Sequence, residues 1–92
     1  MALIRCDQVS KGMRSSERTV VVSDAYGRRE YLRVEEDFLT LHEGKYWLPV
    51  GVINEDKNHG AVLIELPQES ESGTNRLWAK LSDLLEMDPA PV

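Results

Sequence analysis

The sequence predicts an all-β protein, either a single small barrel or a strongly bent antiparallel sheet of five to seven short strands. β-Branched and aromatic residues are concentrated in short segments, and no segment of comparable length repeats apolar residues at helical spacing. Turns that contain glycine separate these segments about every ten residues. With 92 residues the chain supports one hydrophobic core. We assign a single β-barrel domain to residues 1–88 and a flexible C-terminal tail to residues 89–92.

The first half of the chain contains three predicted strands and one well-defined turn. Residues 2–9 form the first predicted strand, and the polar, glycine-bearing segment 10–18 forms a loop. Strands at residues 19–23 and 29–34 flank the sequence Asp24-Ala25-Tyr26-Gly27. Asp favours the first position of a four-residue turn, and Gly adopts a left-handed backbone at little cost. This pattern predicts a hairpin.

A second hairpin is predicted in the middle of the chain. Residues 38–41 form a short strand, Glu43-Gly44 forms the turn, and residues 45–53 form the return strand. Pro49 lies inside that return strand and has no N–H to donate, so it belongs at a sheet edge or a bulge. The nearby Gly51 favours the bulge.

The remaining chain contains two more predicted strands. They span residues 61–66 and 76–81, with a turn at residues 55–60 before the first and an acidic, serine-rich loop at residues 68–75 between the two. Ser82 is a suitable cap for one helical turn near residues 82–86.

The end of this pattern resembles that of bacterial SH3-like barrels. A strand that carries Arg76-Leu77-Trp78 is followed by Ser82-Asp83-Leu84 in a short turn. The resemblance implies a small SH3-like barrel, a fold that serves as a protein-, peptide- or RNA-binding module. Closure into a barrel would also remove the exposed edges that promote aggregation.

Charge is distributed unevenly along the chain. The formal net charge is −5, but residues 1–34 contain seven basic and four acidic residues, whereas residues 35–92 contain four basic and twelve acidic residues. Such asymmetry marks a partner surface or two solvated regions. Cys6 is the single cysteine and cannot form an internal disulfide, and the first 20 residues contain no apolar run typical of a signal peptide. We therefore expect a cytoplasmic protein with no membrane segment.

No residue pattern indicates catalysis. His42 and His59 are isolated near turn glycines, and together with Cys6 they do not provide the spacing of a zinc site. The segment 56–60 lacks the glycine position and the distal glutamate of a calcium loop. The three adjacent acids at residues 35–37 are typical of a solvated turn. We expect a protein that is not an enzyme and that has no cofactor and no metal.

Strand alternation divides the later strands into two faces. The face assigned to the core carries Tyr46, Leu48, Val50, Val52, Val62, Ile64, Leu66, Leu77, Ala79 and Leu81. The opposite face carries six candidate partner-binding residues, namely Trp47, Ile53, Leu63, Arg76, Trp78 and Lys80.

Two tryptophans on an outer face need an explanation. An indole left in water forgoes burial of ~150–250 Å², or roughly 4–6 kcal/mol as an upper bound. If the three strands are neighbours, this face is either covered by residues 1–18 or by a loop, or it binds a partner, with a second copy of the chain among the candidates.

A second candidate surface is basic. Alternation in strand 29–34 places Leu32 and Val34 inward, and the outward side contains four candidate nucleic-acid contacts, namely Arg28, Arg29, Tyr31 and Arg33. The competing interpretation is a solvated edge whose arginines pair with Glu17, Glu30 or the acids at residues 35–37.

The sequence thus predicts a non-catalytic protein- or peptide-interaction module that uses an aromatic and apolar sheet face. The alternatives are a single-stranded RNA or other nucleic-acid binder that uses the basic strand, and a structural subunit of a homo-oligomer.

Overall fold

The computed structural model of the protein describes residues 2–86, so the predicted tail at residues 89–92 lies outside the described residues. This part of the chain forms nine strands: β1 (Ala2–Arg5), β2 (Gln8–Lys11), β3 (Glu17–Ser23), β4 (Arg29–Glu35), β5 (Thr40–His42), β6 (Lys45–Asp56), β7 (Ala61–Glu65), β8 (Arg76–Lys80) and β9 (Leu84–Glu86). Single 3₁₀ turns occupy Glu36–Phe38 and Leu81–Asp83. The helical turn predicted near residues 82–86, with Ser82 as its cap, is only partly confirmed. The second 3₁₀ turn begins at Leu81 with Lys80 at the N-cap position, Ser82 lies inside it, and residues 84–86 form β9.

The strands form two antiparallel sheets. The large sheet has the order β8-β7-β6-β1-β9, with β5 also paired to β6, and the small sheet has the order β2-β3-β4. The prediction of an all-β fold is confirmed. The sheets are not closed into a barrel, and the described chain forms nine strands where five to seven were expected.

The hydrophobic core lies between the two sheets. β4 shows strict alternation of exposed and buried residues, and its apolar inward side chains are Leu32 and Val34, as the sequence predicts. They pack in one cluster with the inward residues of the large sheet, including Ile4, Leu48 and Ile64. Burial of such aliphatic side chains contributes about 1.5–3 kcal/mol each to folding, so this layer holds the sheets together.

The chain crosses between the sheets immediately after β1. The Cys6 N–H donates to the Tyr46 carbonyl of β6 at 3.0 Å, and the next residue, Asp7, donates its N–H to the Val21 carbonyl of β3 at 2.7 Å. The prediction of one strand over residues 2–9 is therefore wrong. Alternation in this segment looks continuous in the sequence, but consecutive amides bond to different sheets.

Both predicted hairpin turns are confirmed. Asp24 Oδ1 accepts hydrogen bonds from the N–H groups of Tyr26 and Arg28, each at 2.8 Å, and Gly27 has a φ of 84°. The pair Glu43-Gly44 connects β5 to β6 with φ values of 52° and 77°. Positive φ at both central residues is the geometry of a type I′ hairpin turn, whose twist matches that of the flanking strands.

β6 is the longest strand of the described chain. Its 12 residues span about 40 Å, whereas the seven residues of β3 and of β4 span about 23 Å. The assignment of Tyr46 and Val52 to the core is wrong, since they are 39% and 42% exposed, although Ile64, the partner of Val52 in β7, is fully buried. Leu81 was also assigned to the core but is 52% exposed, because β8 ends at Lys80 and the 3₁₀ turn redirects the next side chain.

Two loop residues donate backbone hydrogen bonds to strands at the edges of the sheets. The Glu71 N–H, in the loop between β7 and β8, donates to the Tyr31 carbonyl of β4 at 2.8 Å. The Ala25 N–H, in the β3–β4 turn, donates to the Trp78 carbonyl of β8 at 2.7 Å. These bonds occupy one backbone carbonyl of β4 and one of β8, so each of these two edge strands is partly covered although the sheets stay separate.

Candidate functional site

Trp78 and Leu63 form the centre of an apolar patch on the outer face of the large sheet. They are direct cross-strand partners in β8 and β7, and both are partly buried. The residues that flank Trp78, Leu77 and Ala79, are buried in the core, so the indole lies on the opposite face. The order β8-β7-β6 makes the strands of Trp78, Leu63 and Ile53 neighbours, a condition that the sequence left open.

Ile53 reaches this region through a β-bulge. The register between β6 and β7 shifts between Val52 and Asn54, so Asn54 is opposite Leu63, and Ile53 has no partner in β7. The Ile53 side chain is 42% exposed. The bulge predicted around Pro49 and Gly51 is therefore located at Ile53, and Pro49 is paired with Leu3 of β1. Ile53 therefore lies at a bulge directly before Asn54, the residue opposite Leu63, and a bulge redirects side chains locally.

Two basic residues flank Trp78 along β8. Arg76 lies opposite Glu65, and its Nη2 and Nε atoms are each 3.1 Å from Glu65 Oε2. Lys80 lies opposite Ala61 and is exposed, and among the side chains described for residues 2–85 no carboxylate forms an ion pair with it. The positive charge of Arg76 is thus locally balanced, whereas that of Lys80 is available. We call Ile53, Leu63, Arg76, Trp78 and Lys80 the tryptophan patch.

Trp47 lies on the same face of β6 but far from the tryptophan patch. It is paired with Arg5 of β1 and Thr40 of β5, and it is six residues, or about 20 Å, from Ile53. Its Nε1–H donates to the His42 carbonyl at 3.2 Å, and the His42 ring packs edge-on at 6.4 Å between centroids. The structure therefore does not bring the two tryptophans together, and both are only partly buried.

The β5–β6 hairpin carries an apolar surface that the sequence analysis missed. Leu41 and Tyr46 are direct cross-strand partners and are 62% and 39% exposed. Phe38, at the end of the preceding 3₁₀ turn, is 47% exposed. The signal that could have revealed this surface is the length of β6, since a strand longer than its covering sheet must leave part of its apolar stripe uncovered.

The basic candidates lie on the outer face of the small sheet, as predicted. Arg29, Tyr31 and Arg33 are exposed at alternate positions of β4, and Arg28 is exposed in the turn before it. Arg33 Nη2 lies 3.6 Å from Glu71 Oε1.

Within the described residues, no ion pair joins Arg28, Arg29 or Arg33 to Glu17, Glu30 or the acids at residues 35–37. Glu30 faces inward and is 4% exposed, and Glu36 is bound by Arg18 at 2.7 Å. The acid that does pair with this face, Glu71, comes from the loop after β7.

The polar residues that could support chemistry are engaged in local contacts. His59 Nδ1 lies 2.8 Å from Asp56 Oδ2 in the β6–β7 turn. Burial, together with the nearby Asp7 carboxylate, raises the pKa of the Cys6 thiol to about 12. Because the thiolate is the nucleophilic form, Cys6 functions as a small apolar core residue, as the sequence predicts. Within residues 2–86, no group of three or more His, Cys, Asp or Glu side chains is arranged to hold a metal ion.

Comparisons with protein families, with curated proteins and with solved structures found no match for this chain. No helix in the described part of the chain has the length and apolar character needed to cross a membrane.

Proposed function

We propose that the protein is a non-catalytic interaction module that binds a protein or peptide partner on the tryptophan patch. The observation that carries this proposal is the cross-strand pair of Trp78 and Leu63, which the bulged Ile53 extends into a partly exposed apolar surface. A few residues, among which Trp, Tyr and Arg are enriched, provide most of the affinity at protein interfaces, and this patch contains Trp78 and Arg76. Trp78 and Leu63 are partly buried and Ile53 is 42% exposed, so a partner can bury further apolar area here.

The charges at the patch indicate the partner's chemistry. Among the side chains described for residues 2–85, Lys80 has no ion-pair partner, and Arg76 shares its charge with Glu65. We therefore infer an acidic partner with at least one apolar side chain, oriented by Lys80 at the rim. A partner that also contacts Trp47 must extend about 20 Å along β6, which favours an extended segment over a compact side-chain cluster.

Two sequence features support this proposal. The residues of β8 and the following turn resemble SH3-like barrels, many of which bind peptides. The single cysteine is buried and reduced, which fits the cytoplasm as the site of action.

Capture of the partner from native cytosol tests the proposal. The purified protein and its variants are immobilised, and the retained proteins are identified by mass spectrometry. Ile53→Asp and Lys80→Glu should each abolish retention of a partner that the wild type retains. Val52→Asp is the matched control, because Val52 has the same exposed fraction on the same strand but belongs to the inner face.

Trp78→Glu provides a more demanding version of this test. Retention should be lost while the far-ultraviolet circular dichroism and the melting temperature stay close to those of the wild type. If Trp78→Glu unfolds the protein and Ile53→Asp retains the same partners as the wild type, the tryptophan patch serves the fold and the proposal is wrong.

The second candidate function is binding of single-stranded RNA or other nucleic acid by the outer face of β4. Its support is the exposure of Tyr31 between Arg29 and Arg33, since arginines around an aromatic ring suit phosphate contacts and base stacking. The ion pair of Arg33 with Glu71 weakens this case. A fluorescence titration with a mixed-sequence oligonucleotide at low salt tests nucleic-acid binding, and an absence of binding at tens of micromolar rules this function out.

A structural homo-oligomer is the third candidate function, and size-exclusion chromatography tests whether the protein forms a stable oligomer.

A further inference from the structure

A cleft lies at the Lys80 end of the tryptophan patch, where three turns of the chain meet. Its volume is about 570 Å³, and its lining residues are Ala25, His59, Gly60, Lys80, Leu81 and Ser82. Two backbone hydrogen bonds hold these turns together. The Ala25 N–H donates to the Trp78 carbonyl at 2.7 Å, and the Leu81 N–H donates to the Gly60 carbonyl at 2.8 Å. We call this site the Lys80 cleft.

Lys80 gives the cleft its positive charge. Among the described residues, no carboxylate belongs to the lining, and none of the side chains described for residues 2–85 forms an ion pair with Lys80. At the other end of the tryptophan patch, Arg76 is bound to Glu65 at 3.1 Å. An acidic group is therefore attracted to the Lys80 end. One ammonium matches the single charge of a carboxylate, whereas phosphate groups are typically bound by clusters of arginines.

The acids closest in sequence to the lining residues are engaged by other groups. Asp24 Oδ1 accepts two backbone hydrogen bonds within the β3–β4 turn, each at 2.8 Å. Asp56 Oδ2 lies 2.8 Å from His59 Nδ1, and Asp83 Oδ1 lies 3.0 Å from Arg5 Nη2. These contacts leave the charge of Lys80 available to a ligand.

The spacing of Trp78 and Lys80 relates the cleft to the apolar part of the patch. They are two residues apart on one face of β8, opposite Leu63 and Ala61 of β7. Alternate residues of a strand are about 6.5–7 Å apart and share a face. In an extended segment that lies along β8, a side chain that covers Trp78 therefore places the side chain two positions away beside Lys80.

We propose that the Lys80 cleft binds an acidic side chain of the partner, located two positions from the apolar side chain that covers Trp78. This inference rests on the proposed function and specifies the sequence of its partner. The glutamate or aspartate carboxylate pairs with Lys80, and its methylene groups contact Leu81, which is 52% exposed. The residue between the two points to the opposite side of the segment and does not enter the cleft.

The test is an NMR titration of the ¹⁵N-labelled protein with blocked five-residue peptides. Each peptide contains one leucine and one glutamate among threonines, which favour an extended backbone. In two peptides a single threonine separates leucine from glutamate, one in each order, because a segment can run parallel or antiparallel to β8. The comparison peptides have glutamine in place of glutamate, or have leucine and glutamate adjacent.

The leucine of every peptide should shift the indole N–H signal of Trp78. The backbone amide signals of Gly60 and Ser82 should shift with the spaced glutamate peptide of one order. That peptide should bind about threefold to fivefold more tightly than its glutamine counterpart, which is the effect of an exposed ion pair. Added salt should reduce this preference.

Lys80→Gln should abolish the preference for glutamate over glutamine. Lys45→Gln is the matched control, because it removes the same charge from an exposed lysine at the start of β6, and it should leave the preference unchanged. If Lys45→Gln reduces the preference as much as Lys80→Gln does, only the net charge of the protein attracts the peptide, and the cleft is not the site.

The titration distinguishes failure of this inference from failure of the proposed function. If glutamate and glutamine peptides bind equally and both shift the Trp78 indole, the tryptophan patch binds apolar side chains but the Lys80 cleft does not bind an acid. If spaced and adjacent peptides bind equally, the spacing of two positions is wrong. If no peptide shifts the Trp78 indole at millimolar concentration, the tryptophan patch is not a binding surface, and both proposals are wrong.

Discussion

Ser70 and Glu30 are joined by a buried hydrogen bond across 40 residues of sequence. Ser70 Oγ donates to Glu30 Oε1 at 2.8 Å, and Ser72 Oγ donates to the same oxygen at 2.6 Å. Glu30 lies on the inward face of β4, next to the core residue Leu32, so its carboxylate depends on these hydroxyls for solvation. The bonds fix the loop between β7 and β8 against the small sheet.

Ser70→Ala should lower the free energy of unfolding by about 1–3 kcal/mol. The substitution leaves a buried carboxylate with one of its two hydroxyl donors and introduces no steric clash. Urea unfolding at neutral pH measures the change. Ser15→Ala, at an exposed position of the β2–β3 turn, is the control and should stay within about 0.5 kcal/mol of the wild type. An equal effect of the two substitutions would show that Glu30 does not rely on Ser70.

The hairpin turn at Glu43-Gly44 should respond in opposite directions to two substitutions. Glu43 has a φ of 52°, a conformation that asparagine adopts more readily, so Glu43→Asn should stabilise the protein by about 0.5–1 kcal/mol. Gly44→Ala places a Cβ at a φ of 77° and should destabilise it by about 1–2 kcal/mol. Thermal unfolding of both variants provides the measurement. A Gly44→Ala variant as stable as the wild type would contradict the type I′ geometry.

The turns could be predicted from the sequence because their chemistry is local. Asp24 accepts hydrogen bonds from amides two and four residues ahead, and Gly27 supplies the positive φ. The Glu43-Gly44 turn was likewise predicted from its own two residues, whose φ values are both positive. These features depend on contacts between residues that are close in sequence.

Features that depend on the stagger of distant elements could not be predicted. Trp47 and Ile53 share a face of β6, yet alternation does not reveal that β1 pairs with one end of the strand and β7 with the other. The exposure of Tyr46 depends on where the small sheet ends, and the burial of Glu30 depends on a loop 40 residues away. The candidate site was therefore predicted as one surface, whereas the structure separates its two tryptophans.

Cys6 should make the stability of the protein fall at alkaline pH. Burial raises its pKa in the folded state to about 12, above the ordinary thiol pKa of 9.0 that applies when the chain is unfolded. Between these values the unfolded chain releases the thiol proton while the folded chain keeps it, so unfolding becomes easier as pH rises. The loss of stability caused by the Cys6 thiol therefore begins near pH 9 and is absent at lower pH.

Denaturant unfolding at a series of pH values from neutral to alkaline measures this effect. Cys6→Ala should remove the part of the slope that the thiol causes, and native protein at pH 8 should react with a thiol reagent far more slowly than urea-unfolded protein. Fast labelling of the native state would contradict the burial of Cys6.

Asn54 should limit association through the edge of β6. β1 pairs with β6 only as far as Val50, and within residues 2–86 no strand continues that edge beside Val52 and Glu55. Asn54 Oδ1 accepts a hydrogen bond from the Glu55 N–H at 2.9 Å, which keeps this amide from bonding to another chain, and the bulge at Ile53 distorts the edge further.

Asn54→Val should therefore increase self-association, because it frees the Glu55 amide and adds a β-branched residue to an open edge. Sedimentation velocity over a range of concentrations measures the change. Asn58→Val, in the β6–β7 turn, is the matched control and should sediment like the wild type, because a turn presents no edge to extend. If both variants remain monomeric at the highest concentration, the bulge alone protects the edge and the Asn54 side chain is dispensable for this role.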